Sequence, residues 1–597
     1  MRFVWAVVAF VLATVLIGLG IAQRTVFMGP SEQRMTLTID DSSPYVMVDA
    51  DVLRAHPGLQ TLMVRDKGDI FVAYARTEDM TAWLSDTAYD HVSLTKSHKP
   101  KTERVEAKQQ PADGGETSGR SPVGSDLWLD SFADKDALVA EMQLTKGNSV
   151  LIAKDGVKDA PTDILVSWPL DTRTPWAGPL ISLGGLLLAI GIVLYILGIR
   201  HQRRGRGPRR KGPGPLPETQ PITMPERAEI EQGTVESRAA RHTPRRLAIA
   251  IPALAVTALL ATGCTADSWP QFSAGTPTPT PTPTVIKPDS QKPPAITEKQ
   301  GQRIVGDIAK TLAKADTDLD ATLAETRLTG AALAGRQTEY ALRSKIADRK
   351  ATALLSPAGA VKILLPEATD SWPRTALALT VAENDAKKPP VLLTMTQADP
   401  WANYRVTAMA DMPASSSFPD VAPAWLGTTR VPAESAFLSL PPSELAGAFS
   451  NFVDAGDKSE FVGRFDELSQ KLAKAVRDSR ADIVSRAAAS GAASTSTAVF
   501  KMVPSDNEPV SLATLGSGAV VSVSVLDTQT ITPTNPDAVI KITDEPSRVL
   551  TGVSEASKGY TTTYGIQLFF VVPAQGSNEQ IRLLAYHQDL LSVKVIK

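Results

Sequence analysis

Hydrophobic positions along this chain fall into unbroken runs, period-two alternations, and steps of three and four. Val4 to Ile21 (VWAVVAFVLATVLIGLGI) and Pro179 to Ile199 (PLISLGGLLLAIGIVLYILGI) contain no charged residue. At about 1.5 Å per residue each can cross about 30 Å of hydrocarbon, which predicts transmembrane helices over 4–21 and 179–199. A third run, 247–263 (LAIAIPALAVTALLATG), is shorter and holds Pro252, so it suits either a short span or the apolar region of a lipoprotein-type signal.

Between the first two runs the pattern changes to short alternating stretches such as Met35-TLTID and Asp69-IFVAYA, then Ser149-VLIAK and Asp163-ILVSW. Alternation bounded by Gly and Asp predicts strands. Thr77 to Asp86 (TEDMTAWLSD) reads as a short helix with Thr77 and Asp79 as candidate caps. Lys96 to Val123 is polar and rich in Lys, Gln, Gly and Ser, which predicts a flexible insertion over 96–123. The expectation for 31–172 is a small outward-facing α+β domain.

The C-terminal half carries one plan twice. Ile304, Ile308, Leu312, Ala315, Leu319 and Leu323 recur at steps of four and three, one face of a helix, and a second helix is expected over 330–349. Strand-like runs follow at Arg374-TALALTV, Pro390-VLLTMT and Asn403-YRVTAMA. Helical patterns restart at Ser443-ELAGAFSNFV and Phe461-VGRFDELSQKLAKAVRDSRADIV, then strand patterns at Gly518-AVVSVSVLD, Ala538-VIKIT, Gly565-IQLFFVV and Ile581-RLLAY. Helices followed by long antiparallel strands, twice over, is how tandem cone-like α+β domains of the nuclear-transport-factor-2-like kind read, here over 297–435 and 440–597. The fold class expected is therefore α+β extracytoplasmic domains on transmembrane helices.

Charge orients these pieces. The chain is balanced, with 62 basic and 64 acidic residues, which gives no case for nucleic acid as a partner. A dozen Lys and Arg nevertheless crowd between Arg200 and Arg246, beginning with Arg200-HQRRGRGPRRK. Such a cluster stays on the cytoplasmic side, with Trp168 and Trp176 at the outer boundary of the second span and Tyr195 at its inner one. The segment 200–246 is then a basic, disordered cytoplasmic linker, and the acidic region between the spans faces outward. Arg241, Arg245 and Arg246 again precede the third run, so the Thr/Pro stalk over 265–296 and everything after it also lie outside.

Cys264 is the only cysteine, so no internal disulfide and no Cys-rich metal site can form. It follows the third apolar run directly, after Ala261, Thr262 and Gly263. A basic start, a short apolar run, small residues and then cysteine is the layout of a lipoprotein signal, which makes Cys264 the candidate lipidation site and Ala261, Thr262 and Gly263 its cleavage context. Ala261 stands where such signals favour Leu, Val or Ile, and Leu260 sits one position further back.

Catalytic patterns are weak. Ser93-LTK and Ser505-Asp506-Asn507 match two motifs of penicillin-recognising enzymes, but no Lys-Thr-Gly accompanies them and two apolar runs separate them. Asp316-TDLD has the alternating carboxylates of a calcium loop, yet Ala321 and Arg327 replace its glycine and glutamate. His56, His91, His98, His201, His242 and His587 show no paired-ligand spacing. No phosphate loop, dinucleotide fingerprint or Gly-x-Ser-x-Gly elbow occurs, so no cofactor and no metal are expected.

The two spans, the Arg/Pro-rich linker, Leu260-ATGC-Thr265 and the Ala/Thr-rich outer half together resemble uncharacterised actinobacterial multi-span membrane proteins with a lipoprotein-like C-terminal half. The resemblance implies a location in the bacterial plasma membrane, multi-pass, with large extracytoplasmic domains, and supplies no catalytic residue. The expected function is a non-enzymatic, membrane-anchored cell-envelope protein. Its partners are membrane lipid and, through the outward domains, a cell-wall polymer or another membrane protein. The alternative is an extracytoplasmic enzyme on envelope glycans or lipid-linked intermediates, which needs two carboxylates converging in one pocket.

Overall fold

The computed structural model describes residues 2–27, 29–39, 43–108, 119–170, 174–204, 292–350, 355–356, 359–383 and 387–597. The linker from 205, the third apolar run, Ala261, Thr262, Gly263, Cys264 and the stalk up to 291 lie outside the described residues. The fold is mixed α and β, and the described residues divide into two compact units, one drawn from 2–34 and 167–204 and the other from 35–166 and 292–597.

In the first unit, α1 (Arg2–Thr25) and α4 (Ala177–Arg204) run antiparallel. Both are long and apolar enough to cross a membrane, over Phe3–Thr25 and Ala177–His201. Small residues let the two backbones approach. Ala6, Ala9 and Ala13 are buried, and a Cβ added at Gly20 or Gly184 would meet Ile181 or Ile17 at 2.6 Å. Phe3 packs on Tyr195 with ring centroids 5.2 Å apart.

In the second unit, residues 35–166 form most of an eight-stranded sheet. Its strands are β1 (Glu32–Leu37), β2 (Tyr45–Asp49), β3 (Gln60–Arg76), β4 (Tyr89–Leu94), β5 (Pro100–Val105), β6 (Asp130–Met142), β7 (Asn148–Ala153) and β8 (Asp163–Pro169), in the order β1-β8-β3-β7-β2-β4-β5 with β6 on β3. Two short helices, α2 (Ala50–Leu53) and α3 (Thr77–Trp83), complete it. One face carries Tyr45, Met47, Phe71, Ala73, Trp83 and Trp128. Of the segment 96–123, expected to be a flexible insertion, residues 109–118 lie outside the described residues, while 100–105 form β5, paired in register with β4 from Tyr89↔Val105 to Leu94↔Pro100. Its polarity misled because β5 is an edge strand whose alternate side chains, Lys101 and Glu103, pair with each other in solvent.

Residues 292–597 do repeat helices-then-strands. The first half holds α5 (Glu298–Asp318), α6 (Ala321–Glu325), α7 (Gly330–Arg343), β9 (Gly359–Pro366), β10 (Arg374–Ala382), β11 (Val391–Gln397) and β12 (Arg405–Asp411). The second holds α8 (Pro442–Ala455), α9 (Glu467–Ala489), β13 (Ser496–Pro504), β14 (Val510–Ala513), β15 (Ala519–Pro533), β16 (Ile540–Lys541), α10 (Glu545–Thr551), β17 (Glu555–Ala556), β18 (Tyr560–Val572) and β19 (Arg582–Val595). The expected single helix through Leu323 breaks at Leu319, which is left-handed (φ 54), because Asp320 accepts the Leu323 amide and caps a new helix.

The two halves share one nine-stranded sheet, ordered β13-β15-β18-β19-β12-β11-β10-β9 with β14 on β15. They join at one rung, Asp411↔Tyr586. Period-two alternation explains how they cohere. Ala376 and Ala378 of β10 face the first half's helices, while Leu377 and Leu379 turn to the other side. Ile566, Leu568 and Phe570 of β18 likewise face the second half's helices, and Phe569 and Val571 turn away. Those outward-turned residues, with Leu392, Leu512 and Leu584, form a core common to both halves. Separate domains over 297–435 and 440–597 would expose that face to water.

Candidate functional site

The densest buried polar chemistry among the described residues lies where 35–166 meets 292–412. α3 begins after Arg76, which takes the N-cap position without a side-chain cap hydrogen bond. Asp79, two residues inside the helix, caps nothing. Its carboxylate accepts Arg76 Nε at 2.7 Å and Arg374 Nη2 at 2.6 Å. Arg374 starts β10 and is 2% exposed, against 7% for Asp79. Arg76 also donates to the Pro294 carbonyl at 2.9 Å, and the Arg374 guanidinium lies 3.8 Å from the Trp372 ring centroid. Ion pairing, hydrogen bonding and cation–π contact thus compensate a guanidinium withdrawn from water.

Asp126, on the loop leading to β6, anchors the second cluster. Arg327 Nη1 reaches its Oδ2 at 2.5 Å and Arg327 Nη2 its Oδ1 at 3.4 Å, and the Tyr404 amide donates to Oδ2 at 2.9 Å. Burial pushes the Asp126 carboxyl upward, opposed by the Arg327 guanidinium, the Tyr404 amide and the Arg303 charge. Gln300, in the first turn of α5, donates to the Asp126 carbonyl at 2.7 Å, and Arg303 donates to the Trp128 carbonyl. The Asp126 amide in turn donates to Asn403 Oδ1 at 2.9 Å.

Between these clusters, tryptophans interlock. Trp372 and Trp401 of the C-terminal region pack against the core that contains Trp83 and Trp128. Trp401 Nε1 donates to the Trp83 carbonyl at 2.9 Å. Arg120 lies over Trp401 at 4.9 Å and pairs with Asp86 at 3.0 Å. Arg120 belongs to the segment expected to be flexible, so part of that segment is seam.

A separate constellation sits at the rung that joins the two half-sheets. His587 Nε2 lies 3.1 Å from Asp589 Oδ1, and its Nδ1 lies 3.8 Å from Asp411 Oδ2. Burial alone would lower the imidazole pKa, but the two carboxylates outweigh it and raise it to about 9. Gln567 donates to Asp589 at 3.3 Å while its Oε1 accepts the Met409 amide at 2.9 Å. α7 crosses here so closely that a Cβ on Gly335 would lie 2.6 Å from Asp589. A cavity of about 40 Å³, room for a water or two, separates Arg336 from His587.

Of the residues flagged by sequence, Ser93 lies on β4 opposite Lys101 of β5, while Asn507 adjoins Gly330, so the penicillin-type motifs do not share a cleft. The Asp316 run is no calcium loop: Asp316 accepts Arg336 Nε at 3.2 Å and Tyr340 Oη at 2.6 Å, and no group of three metal-ligating side chains occurs among the described residues. His91 pairs with Asp49 at 3.0 Å. Sequence reading passed over Arg374, Asp126, Trp401 and Asn403. The available signal was buried-type residues in unlikely places, tryptophans in loops and arginines at the edge of apolar strands.

A family model described as a domain of unknown function, DUF8094, matches residues 292–594. No curated protein and no solved structure matches the chain.

Proposed function

The chain belongs to the DUF8094 family, and from that premise we propose a non-enzymatic, membrane-anchored cell-envelope protein whose outward domains bind a partner, a cell-wall polymer or a membrane-embedded complex. The observation that carries this reading is the seam. Asp79, Arg374, Asp126 and Arg327 are paired with one another, which unites 35–166 and 292–597 into one body suited to presenting a surface. The alternation in 292–597 is consistent with cone-like repeats that share a sheet.

Membrane anchoring draws support from α1 and α4. Val11 is 58% and Val193 55% exposed, so the outer faces of the helix pair offer hydrocarbon where a soluble protein would place polar groups. Lipidation at Cys264, with cleavage after Ala261, Thr262 and Gly263, belongs to the same proposal. Cleavage there would leave two products held together by the seam.

The enzyme reading has one observation in its favour, the convergence of Asp411 and Asp589 on His587 at the wall of a second, open cleft of about 270 Å³. The test combines fractionation and binding. The full-length protein should stay in the membrane pellet after alkaline extraction and co-sediment with isolated cell walls without releasing sugar. Recovery in the soluble fraction would end the membrane reading. Glycan release abolished by Asp589→Asn in a folded protein would replace the binding role with the enzymatic one. A Cys264→Ser variant tagged at both ends should convert two fragments into one band if cleavage occurs.

A further inference from the structure

A different polar concentration lies where the face shared by both halves of 292–597 runs out of apolar residues. Leu377, Leu379 and Leu392 belong to the common core. At the far end of the same strands, Thr375 stands opposite Thr396 and Thr396 opposite Arg405, a row across β10, β11 and β12. Thr407, two residues on from Arg405, falls on the same face. Arg430, whose backbone bridges to Leu512 of β14, and Asn507, from the turn before β14, close the other side. Together these residues line a cleft of about 330 Å³.

Both guanidiniums are half-buried, and among the described residues neither has a carboxylate within ion-pair distance. Glu367 feels the charge of Arg430 but accepts the Thr375 amide at 3.1 Å, and burial pushes its carboxyl up against the pull of Arg430. Glu508 lines the cleft from an exposed position at its rim. α7 begins in the same space: Thr329 and Gly330 line it, and the Thr329 side chain makes no cap hydrogen bond. Gly330 (φ +58) could not carry a side chain here, since its Cβ would lie 2.8 Å from Asn507 Oδ1. Two partly desolvated cations beside the positive end of a 14-residue helix are stabilised by an anion, and a guanidinium pair matches the two charges and planar edges of a phosphate monoester. The threonine row offers hydroxyls that both donate and accept.

We propose that this cleft binds a phosphoryl group carried on a small polyol, with Arg405 and Arg430 clamping the anion and Thr375, Thr396, Thr407 and Asn507 meeting the hydroxyls. The volume sits near the small end of ligand pockets, about 300–1,000 Å³. The same chemistry comes from a free sugar or glycerol phosphate and from an anionic lipid headgroup. The site goes beyond the role proposed above and stands without it, because a free probe needs neither wall nor membrane.

The test is calorimetric titration of the detergent-solubilised full chain with inorganic phosphate and with glycerol 3-phosphate, repeated in micelles containing phosphatidylglycerol. Glycerol 3-phosphate should bind saturably and more tightly than phosphate. Arg405→Gln and Arg430→Gln should each weaken it about tenfold, and Glu508→Gln, at the exposed rim, should tighten it about twofold. Competition by phosphatidylglycerol would assign the headgroup as the source, and its absence the free ligand. No saturable binding of either probe, or affinity unchanged in both arginine variants, overturns the proposal. Should those variants fail to fold, an affinity indifferent to Glu508→Gln overturns it equally.

Discussion

The two halves of 292–597 meet through Leu377, Leu392, Phe569 and Leu584 and a single backbone rung. Residues 35–166 meet that region instead through Asp79–Arg374, Asp126–Arg327 and interlocked tryptophans. Separation would have opposite consequences at the two joins. Pulling the half-sheets apart exposes a continuous apolar face, which water disfavours in proportion to its area. Opening the seam returns charges to water, where each is well solvated, so much of the lost pairing is recovered. The apolar join therefore makes the halves obligate to each other, while the seam, which pairs buried charges and also covers Trp83 and Trp128, specifies which surface is met.

The largest effect is expected from the apolar join. Phe569→Ala should destabilise the protein by about 4 kcal/mol, and both halves should unfold in one transition by thermal denaturation followed by hydrogen exchange. Independent melting of the halves would break the contrast. At the seam, Arg374→Leu leaves Asp79 with Arg76 alone and should cost about 3 kcal/mol, read as proteolytic opening around Thr77–Trp83 while the nine-stranded sheet stays protected. If that sheet unfolds too, the seam is not separable.

His587 puts a polar contact inside the apolar join and sharpens the comparison by pH. Its pKa in the fold is raised from 6.5 to about 9, so its stabilisation is complete below 6.5 and is lost as pH rises through 9. Chemical denaturation should show about 2 kcal/mol of stability lost across that window, and His587→Gln should flatten the profile. The smallest change concerns Tyr404, whose buried hydroxyl has no hydrogen-bond partner among the described residues. Tyr404→Phe should be neutral or raise stability by less than about 1 kcal/mol, where replacing either member of a seam ion pair destabilises.

The contrast also explains what was legible in the sequence. The shared core announced itself locally, since the middle of β10 and the Leu568–Val572 end of β18 are apolar on both faces over a few consecutive residues. What stayed hidden was that the faces turned from the helices met each other. The seam had no local signal. Asp79 and Arg374 lie 295 positions apart, and each has an ordinary local reading, one as a helix cap and the other as the start of a strand. Asp126 and Arg327 likewise lie 201 positions apart. The polarity of 96–123 pointed to disorder because charge on an edge strand and charge in a loop look alike along the chain. The cleft of Arg405 and Arg430 was equally invisible, because its row of Thr375, Thr396 and Arg405 exists only across strands.

The hydrogen bond from Trp401 to the Trp83 carbonyl spans 318 positions. During synthesis at about 5–20 residues per second, some 15–60 s separate the emergence of those two residues. Through that interval Trp83, Trp128 and their neighbours await the tryptophans that cover them, and Asp79 awaits its second arginine. Residues 35–166 therefore complete this part of their core only once Trp401 has been made, however early their own strands pair.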